Sequence, residues 1–374
     1  MIKSVEQIMK TIFSQPTAPF RENWVLNSIE LELKSLRVPY FIDRWGNIIA
    51  GVSGPKTLKT SHRVALLAHT DHPGFHIEKK LGENLYLAQW FGGFPPKIFK
   101  APVAIYNPQF PGERALGSIV SRKFSKKTAF QIKLKEKSPF PINENCFGAF
   151  AYSGFTKIKS RVHTRAADDL SGVTIILSTF ARLKAYEKKN MLGIFTRAEE
   201  VGFRGTLGII YEKLLGKENS IISLEASRQL EGARIGQGPV IRLGDRKTLF
   251  DSFVTSRLDE AALVLMKKQK KFKVQRRIMN GGTCEATPFN LHNIKASGIA
   301  VPLGNYHNQR TDGRPGPEFI DLRDVERAVE LCVEFYRQTA KKVDPIKVYM
   351  KKMASGFKAD KKYFQKKVSF KNGF

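Results

Sequence analysis

Sulfur, acid and long apolar runs are all scarce in this chain. Three cysteines, Cys146, Cys284 and Cys332, lie far apart in 374 residues with no CxxC pair. That excludes a disulfide framework and a cysteine-based zinc module, and it fits a reducing compartment. No apolar stretch reaches the roughly eighteen residues of a membrane-spanning helix. The opening MIKSVEQIMKTIFSQPTAPF is interrupted by Glu6, Gln7 and Lys10, so it lacks the apolar core of a secretory signal. A soluble, cytoplasmic protein is expected. Acids number 34 against 63 lysines and arginines, for a net charge of +29. Part of that excess is local, because residues 341–374 hold eleven lysines and two aspartates. Such a segment reads as a solvated basic tail and is a candidate for nonspecific contact with polyanions. No nucleic-acid-binding motif accompanies it.

What is present is enough apolar material for a core. A hydrophobic content of 42% and an aromatic content of 11% exclude global disorder. The length favours two compact units, or one large domain carrying an insertion. Residues 1–60 read as helices followed by a short strand, NIIAGV, and RVALLAHTD reads as a buried strand. Between about Pro73 and Arg161, alternating stretches such as NLYLAQW and AFQIKLKEK are separated by Gly/Pro turns, the pattern of a small β-barrel or sandwich. Helical spacing returns with Val173, Ile176, Leu177, Phe180 and Leu183. MLGIFTRAEE, IISLEAS and GIAVPLGNYH then read as strands running into polar residues, and DLRDVERAVELCVEFYRQTA as an amphipathic helix. The resulting division is an α/β unit over 1–74 and 161–345, an inserted β unit over 75–160, and a basic tail over 346–374.

The polar residues at the strand ends carry the chemistry. His69 and Asp71 close the first strand, Glu199 and Glu200 the second, Glu225 the third and His307 the last, while Asp168 and Asp169 precede a helix. In an open α/β sheet, ligands bind beyond the carboxyl ends of the strands. Imidazole with carboxylate suits zinc, manganese or cobalt. Adjacent acids in so basic a chain call for a cation, and this many acids suit two divalent ions sharing a bridging carboxylate, the arrangement of a hydrolytic centre. The other histidines, His62, His72, His76, His163 and His292, read as structural or surface residues, and Cys284 is not read as a nucleophile. GQGPV (236–240) and NGGTCEA (280–286) are glycine turns without the lysine and Ser/Thr of a phosphate loop.

LLAHTDHPGF, RAADDLSGV, RAEEVGFRGT, GQGPVIRLGD and GGTCEATPF occur in the order and spacing of the tetrahedral aminopeptidases, a family within the co-catalytic zinc exopeptidases. DRWGNIIA and GGFPPKIF also resemble that family, and the resemblance covers about residues 15–340. It implies a three-layer αβα catalytic domain with an inserted small β-barrel domain, and a dinuclear metalloaminopeptidase acting on peptides. His69 would bind one ion with Asp71 orienting it, and Asp168 would bridge both ions, its following peptide bond cis. Glu200 and His307 would hold the second ion, and Glu225 would complete the first. Glu199 would be the general base that takes a proton from the attacking water and passes it to the leaving amine. The resemblance further implies two divalent ions, zinc first with cobalt or manganese as alternatives, and a homo-oligomer. Three departures stand out: Glu225 where the family has Asp, Cys284-Glu285 within the usual GGTDA, and His72-Pro73 in place of Glu-Ile. Rival readings are a carboxypeptidase or N-acyl deacylase on the same scaffold, or a non-catalytic polyanion-binding protein.

Overall fold

The computed structural model describes residues 3–60, 64–124, 128–216, 218–340 and 345–364. His62, and the tail beyond Phe364, lie outside the described residues. The short Val/Ile/Leu-rich runs are buried on both sides, as strands between two helical layers must be. They build an eight-stranded sheet in the order Tyr40–Ile42, Ile48–Ala50, Met191–Thr196, Val64–His69, Ser220–Arg228, Ala296–Leu303, Val240–Asp245 and Gln275–Met279. The four strands from Met191–Thr196 to Ala296–Leu303 are parallel, so their carboxyl ends share one edge.

Alternation along Val64–His69 assigns the layers. Val64, Leu66 and Ala68 join the core beneath the helices Val5–Phe13, Asn23–Ser35, Leu170–Arg182, Ser252–Lys268 and Leu322–Ala340. Ala65 and Leu67 face the other layer, with Ile209 of the helix Arg204–Tyr211 and Phe289 of Ala286–Leu291. The helix Leu170–Arg182 is apolar almost all round and buried except at its end, and Asp169 Oδ1 caps it by accepting from Gly172 N at 3.0 Å. That cap pins Asp168 at the same sheet edge. In GQGPV, the amides of Gly236 and Gly238 donate to Asp324 at 2.6 and 2.7 Å, so this turn serves the helix Leu322–Ala340.

Five residues after His69 the chain enters a closed six-stranded barrel, ordered Gly74–Gly82, Leu85–Phe91, Thr128–Leu134, Ala115–Phe124, Pro102–Tyr106 and Phe147–Phe150. Closure decides between the barrel and sandwich readings, and it removes free strand edges. The period-two pattern of Leu85–Phe91 turns Tyr86, Ala88 and Trp90 inward, where Trp90 packs against Phe75, Phe130 and Phe150. The chain then returns through Thr156–Ile158 and Arg161–Thr164, which form a three-stranded sheet with Glu318–Asp321. The basic segment contains an exposed helix, Pro345–Phe364.

Candidate metal centre

The parallel strands deliver their terminal side chains to one buried point. His69 Nε2 stands 3.3 Å from Asp168 Oδ1, and His307 Nε2 stands 3.6 Å from Asp168 Oδ2. Asp168 thus turns one oxygen to each histidine. His307 Nε2 is also 3.2 Å from Glu200 Oε1, while Glu225 Oε1 and Glu199 Oε2 each approach His69 Nε2 at 4.0 Å. Ligand atoms of His69, Asp168 and Glu200 lie within 4.8 Å of one another. Asp71 sits behind this group. Its Oδ1 accepts from Glu199 N at 2.9 Å, its Oδ2 from Glu200 N at 3.1 Å, and His69 Nδ1 is 3.4 Å from Oδ1. One carboxylate therefore aligns both glutamates and the first imidazole.

Whether these residues suit a cation is tested by what their atoms touch. His69 Nε2, Asp168 Oδ1, Glu200 Oε1, Glu225 Oε2 and His307 Nε2 are buried and have no hydrogen-bond partner among the described residues. His69 Nε2 stands 3.3 Å from Asp168 Oδ1 and His307 Nε2 3.2 Å from Glu200 Oε1 without hydrogen-bond alignment, and Glu225 closes the group through its Oε1 at 4.0 Å from His69 Nε2. Orphaned buried polar atoms are rare and costly, and five at one point fit divalent ions bound by nitrogen and oxygen.

The electrostatics agree. Burial pushes the Glu199 carboxyl well above its ordinary range, against the pull of His69. Burial, then the charges of Asp168 and Glu199, push Glu225 the same way. Burial also opposes the charge on Asp168, but His307 and His69 outweigh it and hold its pKa below the usual carboxylate range. For both histidines burial works against the imidazolium, and the surrounding carboxylates overcome it, raising His69 and His307 well above the ordinary imidazole value. The carboxylates outnumber the imidazoles here, so the cluster is short of positive charge.

All seven candidate residues meet here, and further residues join them that sequence reasoning left out. Glu318, fully buried, accepts from Ala167 N at 2.7 Å and Asp168 N at 3.1 Å through one oxygen, and from His307 N at 2.8 Å through the other. His72, read as a structural or surface residue, is buried at the centre's back. Its Nδ1 pairs with Asp168 O at 2.6 Å and its Nε2 with Asn308 Oδ1 at 3.1 Å. Its place beside the HTD motif was the available signal; for Glu318 there was none. Glu285 is buried, with Oε1 accepting from Thr196 and Thr206. His76, His163 and His292 lie elsewhere, against Pro19, Phe319 and Pro288. Cys284 is fully buried, and burial raises its thiol pKa, which disfavours a nucleophilic thiolate. The barrel reaches the centre too: a Cβ added at Gly93 would strike His307 Nδ1.

The three-layer α/β sheet thus carries a barrel after the strand Val64–His69 and a His/Asp/Glu cluster at its shared carboxyl edge. The profile of the M42 glutamyl aminopeptidases matches residues 142–331, and the chain belongs to that family. It is a metal-dependent aminopeptidase. The fold is similar to that of a TET aminopeptidase from a marine-sediment thaumarchaeote, at 18% identity over 89% of this chain and 95% of that one, with TM-score 0.72. It is also similar to the Pyrococcus horikoshii TET1 peptidase, which assembles into a tetrahedron or a large octahedral shell, at 18% identity over 89% and 99% with TM-score 0.71. An aminopeptidase from Desulfurococcus kamchatkensis matches at 21% identity over 89% and 94% with TM-score 0.70. No curated protein matches the chain in sequence.

Proposed function

We propose that the chain removes N-terminal residues from peptides with two divalent ions, zinc first among them. His69, Asp168 and Glu225 would hold one ion, and Asp168, Glu200 and His307 the other. The observation that carries this reading is the set of five orphaned ligand atoms at one strand edge. Such ions, when bound, polarise the scissile carbonyl and make water acidic enough to attack near neutral pH. Glu199 is the general base. Its backbone is held by Asp71 and its carboxylate points toward His69, so it can take the proton of the attacking water and return it to the leaving amine. Asp71 keeps His69 and both glutamates in register. Glu318 fixes the backbone of Asp168 and His307 together, which ties the two halves of the ligand set.

The first side chain of the substrate is proposed to be acidic. A small pocket beside the centre is lined by Glu225 itself together with Arg242, Arg228, Thr283 and Tyr306. Arg242 is buried with its Nε unpaired, and its Nη1 donates to Ser227 at 3.2 Å. Arg228 stacks over Tyr306, which stacks on His307 at 3.8 Å. A carboxylate entering there meets two guanidiniums beside the reacting bond, and the glutamyl in the family's description points the same way. We also propose that residues 75–160 form an inserted domain and that the chain assembles as a homo-oligomer, as its shell-forming structural neighbour does. Metal analysis of the purified chain after mild zinc or cobalt addition should find two ions per chain, and content near zero overturns the centre. With glutamyl and leucyl p-nitroanilides, Arg242→Gln should lower kcat/KM for the glutamyl substrate about 10- to 100-fold and leave the leucyl one nearly unchanged. An equal loss on both substrates removes the acidic pocket from the proposal.

A further inference from the structure

The helix Pro345–Phe364 carries an apolar face in solvent. Ile346, Met350, Met353, Phe357 and Phe364 recur at steps of four, three, four and seven residues, the spacing of one helix face. The rings of Phe357 and Phe364 lie 6.3 Å apart, centre to centre, as that register requires. Tyr349 stands one turn before Met353 and widens the stripe. Tyr349, Met350, Met353, Phe357 and Phe364 are between 59% and 76% exposed. One exposed apolar side chain is ordinary, but five along one face mark a surface that meets a partner.

The rest of this helix is basic. It holds six lysines and one acid, Asp360. Lys351, Lys358 and Lys361 follow steps of seven and three, so they line a second face beside the stripe, and all three are exposed. Two chemistries therefore run side by side along the same helix. A nucleic acid would satisfy the lysines and leave the methionine and aromatic side chains in water. A second copy of this chain would cover the stripe but bring its own net charge of +29 toward the lysines. An anionic bilayer surface matches both faces at once. Its phosphates attract the lysines while the apolar side chains enter the boundary between headgroups and acyl chains.

We propose that the helix Pro345–Phe364 docks the protein on the surface of an anionic lipid membrane. Among the described residues no helix is long and apolar enough to cross a bilayer, so this one lies along the interface. The stripe of Met350, Met353, Phe357 and Phe364 faces the acyl chains, and the lysine stems reach back to the headgroups. The docking surface is separate from the metal centre and does not depend on the reaction assigned to it.

Flotation of the full chain with lipid vesicles tests the proposal. The chain should float with vesicles of phosphatidylcholine and phosphatidylglycerol in equal parts, and not with phosphatidylcholine alone. Met353→Ser with Phe357→Ser leaves the charge untouched and should weaken binding to the anionic vesicles about tenfold or more. Lys351→Glu with Lys358→Glu should weaken it to a similar degree, and added salt should weaken the wild type. Binding carried by the overall charge alone would survive the serine pair, and that result overturns the proposal. Binding to single-stranded RNA but not to the vesicles overturns it as well. So does a change in assembly mass caused by the serine pair without lipid, because the stripe would then belong to a second copy. If either double variant melts earlier than the wild type, the chain ending at Ala340 decides. It should lose at least tenfold in vesicle binding, and unchanged binding removes the helix from the membrane.

Discussion

Glu199 and Glu200 are neighbours in the chain, yet their side chains approach different imidazoles. Glu200 Oε1 lies 3.2 Å from His307, and Glu199 Oε2 lies 4.0 Å from His69. The two should therefore fail in different ways. Glu200→Gln removes a charged proposed ligand and should weaken retention of one ion, measured as metal content after dialysis. Glu199→Gln keeps the proposed ligand set and removes the proposed base. General-base assistance is worth about 10²–10⁴-fold, so kcat should fall by that factor with both ions retained and KM little changed. An active Glu199→Gln enzyme would falsify its assignment as base. Arg242 carries the corresponding test for specificity through the pair of substrates above.

At the level of elements, the barrel shapes the centre as well as extending from the sheet. Its Gly92–Gly93 turn presses on His307, with Gly92 at φ +79° and Gly93 leaving no room for a Cβ. Trp90 Nε1 anchors that turn by donating to Gly93 O at 3.1 Å. Gly93→Ala should push His307 out of line without disturbing the barrel core, because His307 is the group it strikes. The expected result is weaker metal retention and lower kcat with an unchanged melting temperature of the metal-free protein. A fully active Gly93→Ala enzyme removes the turn from the site. The barrel's root holds a second testable contact. His76 pairs with Pro19 O at 2.8 Å and stacks on Phe91, and burial lowers its pKa from 6.5 to about 4. The folded chain thus keeps His76 neutral where the unfolded chain binds a proton. Its contribution to stability is full above pH 6.5 and is lost as pH falls from 6.5 to about 4. Melting curves of the wild type and His76→Gln should show a steeper acid loss for the wild type across that window. Parallel curves would mean that His76 does not titrate there.

For the whole molecule, the basic helix Pro345–Phe364 stands apart from the chemistry. Its lysines, among them Lys351, Lys352 and Lys358, are exposed, and it places no side chain among the candidate ligands. Among the described residues no helix is long and apolar enough to cross a membrane. A chain ending at Ala340 should hydrolyse a small peptide with unchanged kcat. Lost turnover in a truncated chain that still folds and holds its ions would give the helix a place in the active enzyme. The assembly proposal is read by light scattering on the full chain, where a mass many times 42.3 kDa is expected. A mass of one chain at micromolar concentration sinks it.

The local order of this protein was legible in its residues because strands and helices announce themselves by period and length. The buried run ending at His69, the helix face of Val173, Ile176 and Phe180, and the alternating stretch at Leu85–Phe91 all lie where their spacing predicts. Parallel strands bring their ends to one edge, so candidate ligands written at four strand ends and one helix start converge without further information. Other features depended on the tertiary structure. Nothing in a single glutamate distinguishes Glu318, which lies 150 residues beyond Asp168 and whose oxygens join Asp168 to His307. The same holds for His72 behind Asp168 and for Gly93 against His307. Alternation made the inserted segment β, but only closure of Gly74–Gly82 onto Phe147–Phe150 made it a barrel. Period is a property of neighbours in sequence, whereas these contacts are properties of neighbours in space, and burial, which gives them their energy, exists only once the chain has folded.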